Sequence, residues 1–207
     1  MSQTISPKVV FLDRDGTINH DSPDYIKNRA EFKIIPGSIE AIRLLTSNGF
    51  ASIVITNQSA IARKFISPAE LDHIHVLMKE AIISGGGKIT DIFFCPHLPT
   101  DRCKCRKPSA GLIFQAQRKY NLDLSQAIMV GDSAKDIECA HNAGCGKAVL
   151  VKTGKDNEAE LIMKTKQIVA DYTANNLYDA AKWILATENS SLITPPPTAG
   201  NDFNNAK

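Results

Sequence analysis

Val9-Val10-Phe11-Leu12-Asp13-Arg14-Asp15-Gly16-Thr17 decides how the chain is read. Four apolar residues closed by acid and glycine predict a buried strand ending in a turn. In an open parallel α/β sheet, the carboxyl end of a strand is where ligands bind. Two carboxylates one residue apart, backed by a Gly-Thr turn, suit covalent phosphoryl transfer. One aspartate can attack phosphorus while the other gives and takes protons. Taken alone, the triplet also reads as a plain acidic loop, so the rest of the chain must decide.

Working outward, strand-like and helix-like segments alternate. Strands are expected over residues 8–12, 51–56, 89–95, 127–130 and 147–151, with a short one near 168–171. Pro36-Gly37-Ser38 opens a helix that Gly49 stops, and Ser67-Pro68-Ala69-Glu70 reads as a capping box for a helix to about Ser84. Further helices are expected over residues 110–120 and 133–143, the latter stopped by Gly144. This alternation implies βαβ units, hence an α/β fold with a single doubly wound parallel sheet. One domain is expected over residues 1–187. From Glu188 to Lys207 the Pro195-Pro196-Pro197 run and the Asn/Ala/Gly-rich end predict a disordered tail.

Composition narrows the class. The 207 residues are 43% hydrophobic and 22% charged, as in soluble globular proteins. A net charge of +2 without a long basic run argues against nucleic acid as partner. No apolar stretch reaches membrane-spanning length, and the polar segment from Met1 to Lys8 does not read as a signal peptide. Five cysteines, three of them within residues 95–105, disfavour a disulfide framework and favour a metal site in a reducing compartment, the cytoplasm. No apolar stripe demands a partner subunit, so a monomer is expected.

Three more sites fall at the ends of expected strands or just beyond. Thr56-Asn57 offers a hydroxyl and backbone N–H groups for phosphoryl oxygens, or simply a helix-entry turn. Arg106-Lys107-Pro108 offers a lysine to neutralise a transferring phosphoryl group and an arginine to grip a second phosphate, or a solvated basic patch. Gly131-Asp132, followed by Asp136, offers a carboxylate for Mg²⁺, or a helix cap formed by Asp132 or Ser133. Separately, Cys95-Pro96-His97 and Cys103-Lys104-Cys105 supply three thiolates and an imidazole, a set that structural Zn²⁺ favours. That loop delivers Arg106 and Lys107 directly after its last ligand. Cys139 and Cys145 read as small buried residues; His20, His73, His75 and His141 read as surface or capping residues.

In this order, the sites resemble the haloacid dehalogenase superfamily of aspartate-nucleophile phosphatases, over roughly residues 8–154. The resemblance implies a Rossmann-like fold with no large cap domain inserted and an added zinc-binding loop. It makes Asp13 the nucleophile and Asp15 the acid and base. Thr56 and Lys107 become the phosphoryl-binding pair, and Asp13, Asp132 and the carbonyl of Asp15 the Mg²⁺ ligands. Cys95, His97, Cys103 and Cys105 become the Zn²⁺ ligands. Within the superfamily, Thr56–Arg63 is similar to TNQSGIARG and Val149–Lys155 to VLVRTGK. These belong to a zinc-bearing, histidinol-phosphatase-like branch. The implied substrate is a small phosphorylated sugar, D-glycero-D-manno-heptose 1,7-bisphosphate losing its 7-phosphate on the route to ADP-heptose and lipopolysaccharide core, with histidinol phosphate as the alternative. Asn57, Arg63 and Arg106 are the expected substrate-binding residues, the two arginines holding the distal phosphate. Ala60 and Lys64 replace glycines of that pattern, and Ser133 stands where a lysine often follows the aspartate. A turn needing positive φ at residue 60 or 64 would cost roughly 1 kcal/mol with a Cβ present.

Overall fold

The computed structural model of the chain describes residues 8–154 and 158–190. Six parallel strands make one sheet: β1 Val9–Leu12, β2 Ala51–Asn57, β3 Ile89–Cys95, β4 Ile128–Gly131, β5 Lys147–Val151 and β6 Tyr172–Ala174, in the order β3-β2-β1-β4-β5-β6. The helices are α1 Ser38–Ser47, α2 Pro68–Ser84, α3 Gly111–Tyr120, α4 Ala134–Ala143, α5 Glu158–Lys166 and α6 Leu177–Ser190. The single doubly wound sheet is as the alternation predicts.

Both faces of the sheet are covered, which is why its central strands are apolar throughout rather than alternating. Successive side chains of β1 point to opposite faces. Val10 and Leu12 join a core with residues of α1, α2 and α6. Val9 and Phe11 join a second core with residues of α3 and α4. All four are at most 1% exposed.

Helix ends follow their sequence signals. Ser67 Oγ accepts the Glu70 N–H at 3.1 Å, with Pro68 at the first helical position. The expected capping box is half formed, because the Glu70 carboxylate lies beside the His73 ring at 3.4 Å. The sixth strand starts later than residues 168–171. Asp171 uses its N–H and carboxylate on the Ala148 carbonyl and N–H, at 2.8 and 2.7 Å, and so acts as the turn that admits Tyr172 to the sheet. The tail expected from Glu188 begins inside α6; residues 1–7, 155–157 and 191–207 lie outside the described residues.

The chain builds β1, β2 and β3 to one side, then crosses back to lay β4 on the other side of β1. The crevice where strand order reverses therefore lies between the ends of β1 and β4. Leu12 pairs with Val130, and the Asp13 N–H donates to the Val130 carbonyl at 2.9 Å. The connection from β1 to α1 is a loop, pinned by the His20 N–H on the Lys33 carbonyl and the Ile35 N–H on the Ile18 carbonyl, at 2.9 and 3.0 Å. No inserted domain interrupts the described residues, and no helix among them is long and apolar enough to cross a membrane.

Candidate active site

Asp13 and Asp132, each directly after its strand, face one another across the crevice with Asp136 of α4. Carboxylate oxygens of all three lie within 4.8 Å of one another. Burial, reinforced by Asp136 and Asp15 and only partly offset by Lys107, pushes Asp13 up to about 7. Burial and the charges of Asp136 and Asp13 push Asp132 up to about 9. Crowded buried acids of this kind are the donor set of a hard divalent cation, which removes the repulsion that raises them. Asp136 is already committed: one oxygen accepts the Ser133 N–H and hydroxyl at 3.0 and 2.7 Å, and the other meets Lys107. Ser133 is the N-cap of α4, so the capping role expected near residue 132 falls to it.

The acids are packed against bare backbone. Gly16 has φ of +80°, and a Cβ there would collide with the Asp132 carboxylate. A Cβ at Gly154 would collide with the same group from the other side.

Lys107 is 2% exposed at its side chain and bridges the acids, Nζ lying 2.8 Å from Asp13 and 2.5 Å from Asp136. These contacts are ion pairs off the angle of an aligned hydrogen bond. Burial would lower the lysine, but the charges of Asp13 and Asp136 outweigh it and hold the ammonium protonated above its ordinary range. Asn57, expected at the substrate, lines the cleft and has its carboxamide bonded to the Lys107 backbone at both ends: Oδ1 accepts the N–H at 3.0 Å and Nδ2 donates to the carbonyl at 3.2 Å. Thr56 is buried at the end of β2, its Oγ1 accepting from Gln58 Nε2 at 2.9 Å.

Asp15 is held by a buried cage. Arg14, completely buried, donates from Nε to Oδ1 at 3.1 Å and from Nη2 to both oxygens at 2.8 and 2.9 Å. Asn19 Nδ2 and Gln58 Nε2 add bonds of 2.8 Å each. Burial raises this carboxyl, but the Arg14 charge and the surrounding donors outweigh it and leave it below the usual range. His75, expected on the surface, is instead buried beside Arg14 and Phe94.

The metal loop is assembled. Cys95 Sγ lies 3.5 Å from Cys103 Sγ, 3.2 Å from Cys105 Sγ and 3.5 Å from His97 Nδ1. Cys105 Sγ lies 3.4 Å from Cys103 Sγ and 3.3 Å from His97 Nδ1. A zinc tetrahedron with bonds of about 2.3 Å has edges just under about 4 Å, so the four groups fit that ion. All five cysteines are free thiols, consistent with a metal loop rather than a disulfide framework.

The cleft over these groups has a volume of about 310 Å³. Its lining includes Asp13, Asp15, Thr56, Asn57, Arg106, Lys107 and Asp132. Arg106 is tied to the metal loop by Nη1 on the His97 carbonyl at 3.2 Å. Arg63 is not in the lining; its guanidinium lies 5.8 Å over the ring of Tyr25, which is. Sequence reasoning missed Tyr25, Ser59 and Lys135, all of which line the cleft. Lys135 had a signal, since it sits three residues after Asp132 on the first turn of a helix whose start was legible. Of the two departures from glycine, Lys64 alone takes a positive φ, +60°. Ala60 does not, and its methyl is buried at 1% exposure.

Comparison with known proteins agrees with this geometry. The family model described as "HAD-hyrolase-like" matches residues 104–180. The D-glycero-beta-D-manno-heptose-1,7-bisphosphate 7-phosphatase of Pseudomonas aeruginosa is 46% identical over 151 residues, covering 73% of this chain and 84% of that protein. The one from Yersinia pestis is 38% identical over 190 residues, covering 88% and 98%. The crystal structure of D,D-heptose 1,7-bisphosphate phosphatase from B. bronchiseptica, complexed with magnesium and phosphate, superposes with a TM-score of 0.81 at 36% identity, covering 87% of this chain and 99% of that one. The chain belongs to the haloacid dehalogenase-like phosphatases, in the family of the D-glycero-beta-D-manno-heptose-1,7-bisphosphate 7-phosphatases.

Proposed function

We propose that the chain removes the 7-phosphate of D-glycero-D-manno-heptose 1,7-bisphosphate through an aspartyl-phosphate, on the route to ADP-heptose. The observation that carries this reading is the convergence of Asp13, Asp15, Lys107 and Asp132 in one cleft at the switch point of the sheet. The Asp13 carboxylate attacks phosphorus, forming an acyl-phosphate bond as the bond from phosphorus to the sugar oxygen breaks. Asp15 takes the proton of the phosphate ester that enters as its monoanion and gives it to that leaving oxygen. As a carboxylate it then takes a proton from the water that attacks phosphorus, and Asp13 is released with inorganic phosphate. Lys107 and the Thr56 hydroxyl neutralise and orient the equatorial oxygens. Asn57 acts by fixing the Lys107 backbone.

Asp13, Asp132 and the Asp15 carbonyl would hold Mg²⁺, which supplies charge neutralisation between an anionic nucleophile and an anionic substrate. Support comes from the crowded acids and from the magnesium in the B. bronchiseptica enzyme. Cys95, His97, Cys103 and Cys105 would hold a structural Zn²⁺ that braces Arg106 and Lys107. Arg106 and Lys135 flank the cleft and suit the distal phosphate better than Arg63 does. The histidinol-phosphate alternative is not favoured by the relatives. Free cysteines and a phosphorylated substrate fit a cytoplasmic monomer built as one catalytic domain.

The test is phosphate release, with Mg²⁺, from the heptose bisphosphate and from histidinol phosphate side by side. Strong preference for the bisphosphate, abolished in Asp13→Asn with zinc content unchanged, is expected. Preference for histidinol phosphate overturns the substrate, and turnover by Asp13→Asn overturns the nucleophile.

A further inference from the structure

We propose that His75 is a positioning residue for the Asp15 carboxylate, acting through the Arg14 guanidinium. The inference rests on the reading of Asp15 as proton donor and acceptor. Arg14 has no exposed surface, and its fork fixes both Asp15 oxygens. Nη2 also reaches Gln58 Oε1 at 3.2 Å. That leaves Nη1, which among the described residues meets His75 Nε2, at 3.5 Å. A guanidinium has five N–H donors and no acceptor, and it stays charged in proteins. The contact therefore requires a lone pair on Nε2, that is, a neutral imidazole with its proton on Nδ1.

The surroundings enforce that state. His75 is buried on α2 with its ring 5.8 Å from that of Phe94, and burial together with the Arg14 charge pushes it down to about 3. His75 is thus a permanent acceptor. Without it, Nη1 becomes an unpaired buried donor on a charged group, and the guanidinium gains reason to turn toward another acceptor. Turning it moves both teeth of the fork and so the Asp15 oxygens. Proton transfer to a leaving group tolerates little misplacement, so the loss falls on chemistry rather than on binding.

The experiment compares His75→Leu, which fills space without an acceptor, with His75→Gln, which restores a carbonyl acceptor. The readout is the single-turnover rate of phosphoenzyme formation from an alkyl phosphate, the heptose bisphosphate, and from p-nitrophenyl phosphate, whose leaving anion needs no proton. For His75→Leu we expect the maximal rate of phosphoenzyme formation from the alkyl ester to fall about tenfold, with the concentration giving half that rate within about twofold. Phosphoenzyme formation from the aryl ester is expected to be spared, and His75→Gln to keep at least about half the wild-type rate on both. Equal losses in the two variants, or equal losses on the two substrates, overturn the proposal and leave His75 a packing residue. Should His75→Leu fail to fold, His75→Met makes the same comparison. Asp15→Asn runs alongside: if it still cleaves the alkyl ester, the role of Asp15 itself fails, whatever His75 does.

Discussion

Raising the pH without Mg²⁺ is expected to weaken what the acid cleft contributes to stability. Asp13 and Asp132 hold protons up to about 7 and about 9 in the folded, cation-free cleft, against an ordinary carboxylate value of 3.8. A group whose folded pKa is raised stabilises fully at low pH and loses that contribution as pH climbs through the folded value. At pH 7 the folded state carries roughly half a proton on Asp13 and one on Asp132, while the unfolded chain carries almost none there. His75 works the other way, holding about a quarter of a proton only when unfolded, because its folded value is pushed down to about 3. The balance at the cleft is a little over one proton, so its contribution to the unfolding free energy falls by roughly 1.5 kcal/mol between about pH 7 and pH 8. Saturating Mg²⁺ removes the protons from the folded state, raising stability and flattening this slope. Urea unfolding free energies at the two pH values, with Mg²⁺ omitted or saturating, isolate the cleft as the difference between the two pH slopes, because the zinc thiolates, which regain protons on unfolding, contribute equally to both. A pH slope unchanged by Mg²⁺, or one that Mg²⁺ makes less favourable at high pH, refutes the reasoning.

Other substitutions probe the scaffold and the rim of the cleft. Lys64→Gly relieves a left-handed backbone and should stabilise the fold by about 0.5–1 kcal/mol, read as a rise in thermal midpoint. Gly16→Ala combines a positive φ with a collision on Asp132; a loss of about 2 kcal/mol and weaker Mg²⁺ binding by titration are expected. Cys105→Ser should release zinc, measured by elemental analysis, and lower kcat by at least about tenfold as Lys107 loses its brace. Lys135→Ala and Arg106→Ala should each raise KM for the bisphosphate about tenfold over that for a 7-monophosphate, whereas Arg63→Ala should not.

The strands around the site were legible because each is a short apolar run ended by acid, polar residue or glycine, as at Leu12-Asp13 and Val130-Gly131-Asp132. The metal loop was legible from cysteine and histidine spacing. Arg14 was not, because a charged side chain reads as surface until a buried carboxylate is known to face it. His75 carried a signal that went unused: it lies four residues after Leu71 and three before Met78, both fully buried on α2. Arg63 was misplaced because a turn fixes where its backbone goes, and sequence alone does not orient a long side chain leaving that turn. Asn57 is a related case: an amide at a strand end is as able to clamp a neighbouring peptide as a ligand, and only the approach of Lys107 decides between them.

The strand order has a consequence for synthesis. β1 is flanked by β2 and β4, yet β4 emerges from the ribosome more than a hundred residues after β1. A nascent chain that has reached α3 can pair β1 with β2 and β2 with β3 but leaves the other edge of β1, Val9–Leu12, without a neighbour. That edge is apolar on both sides and ends in Asp13, before the partner carboxylate of Asp132 exists. An uncovered edge of this composition is prone to pair with other chains. Nucleophile and metal pocket are therefore completed together, late, by the same strand that covers the free edge of β1.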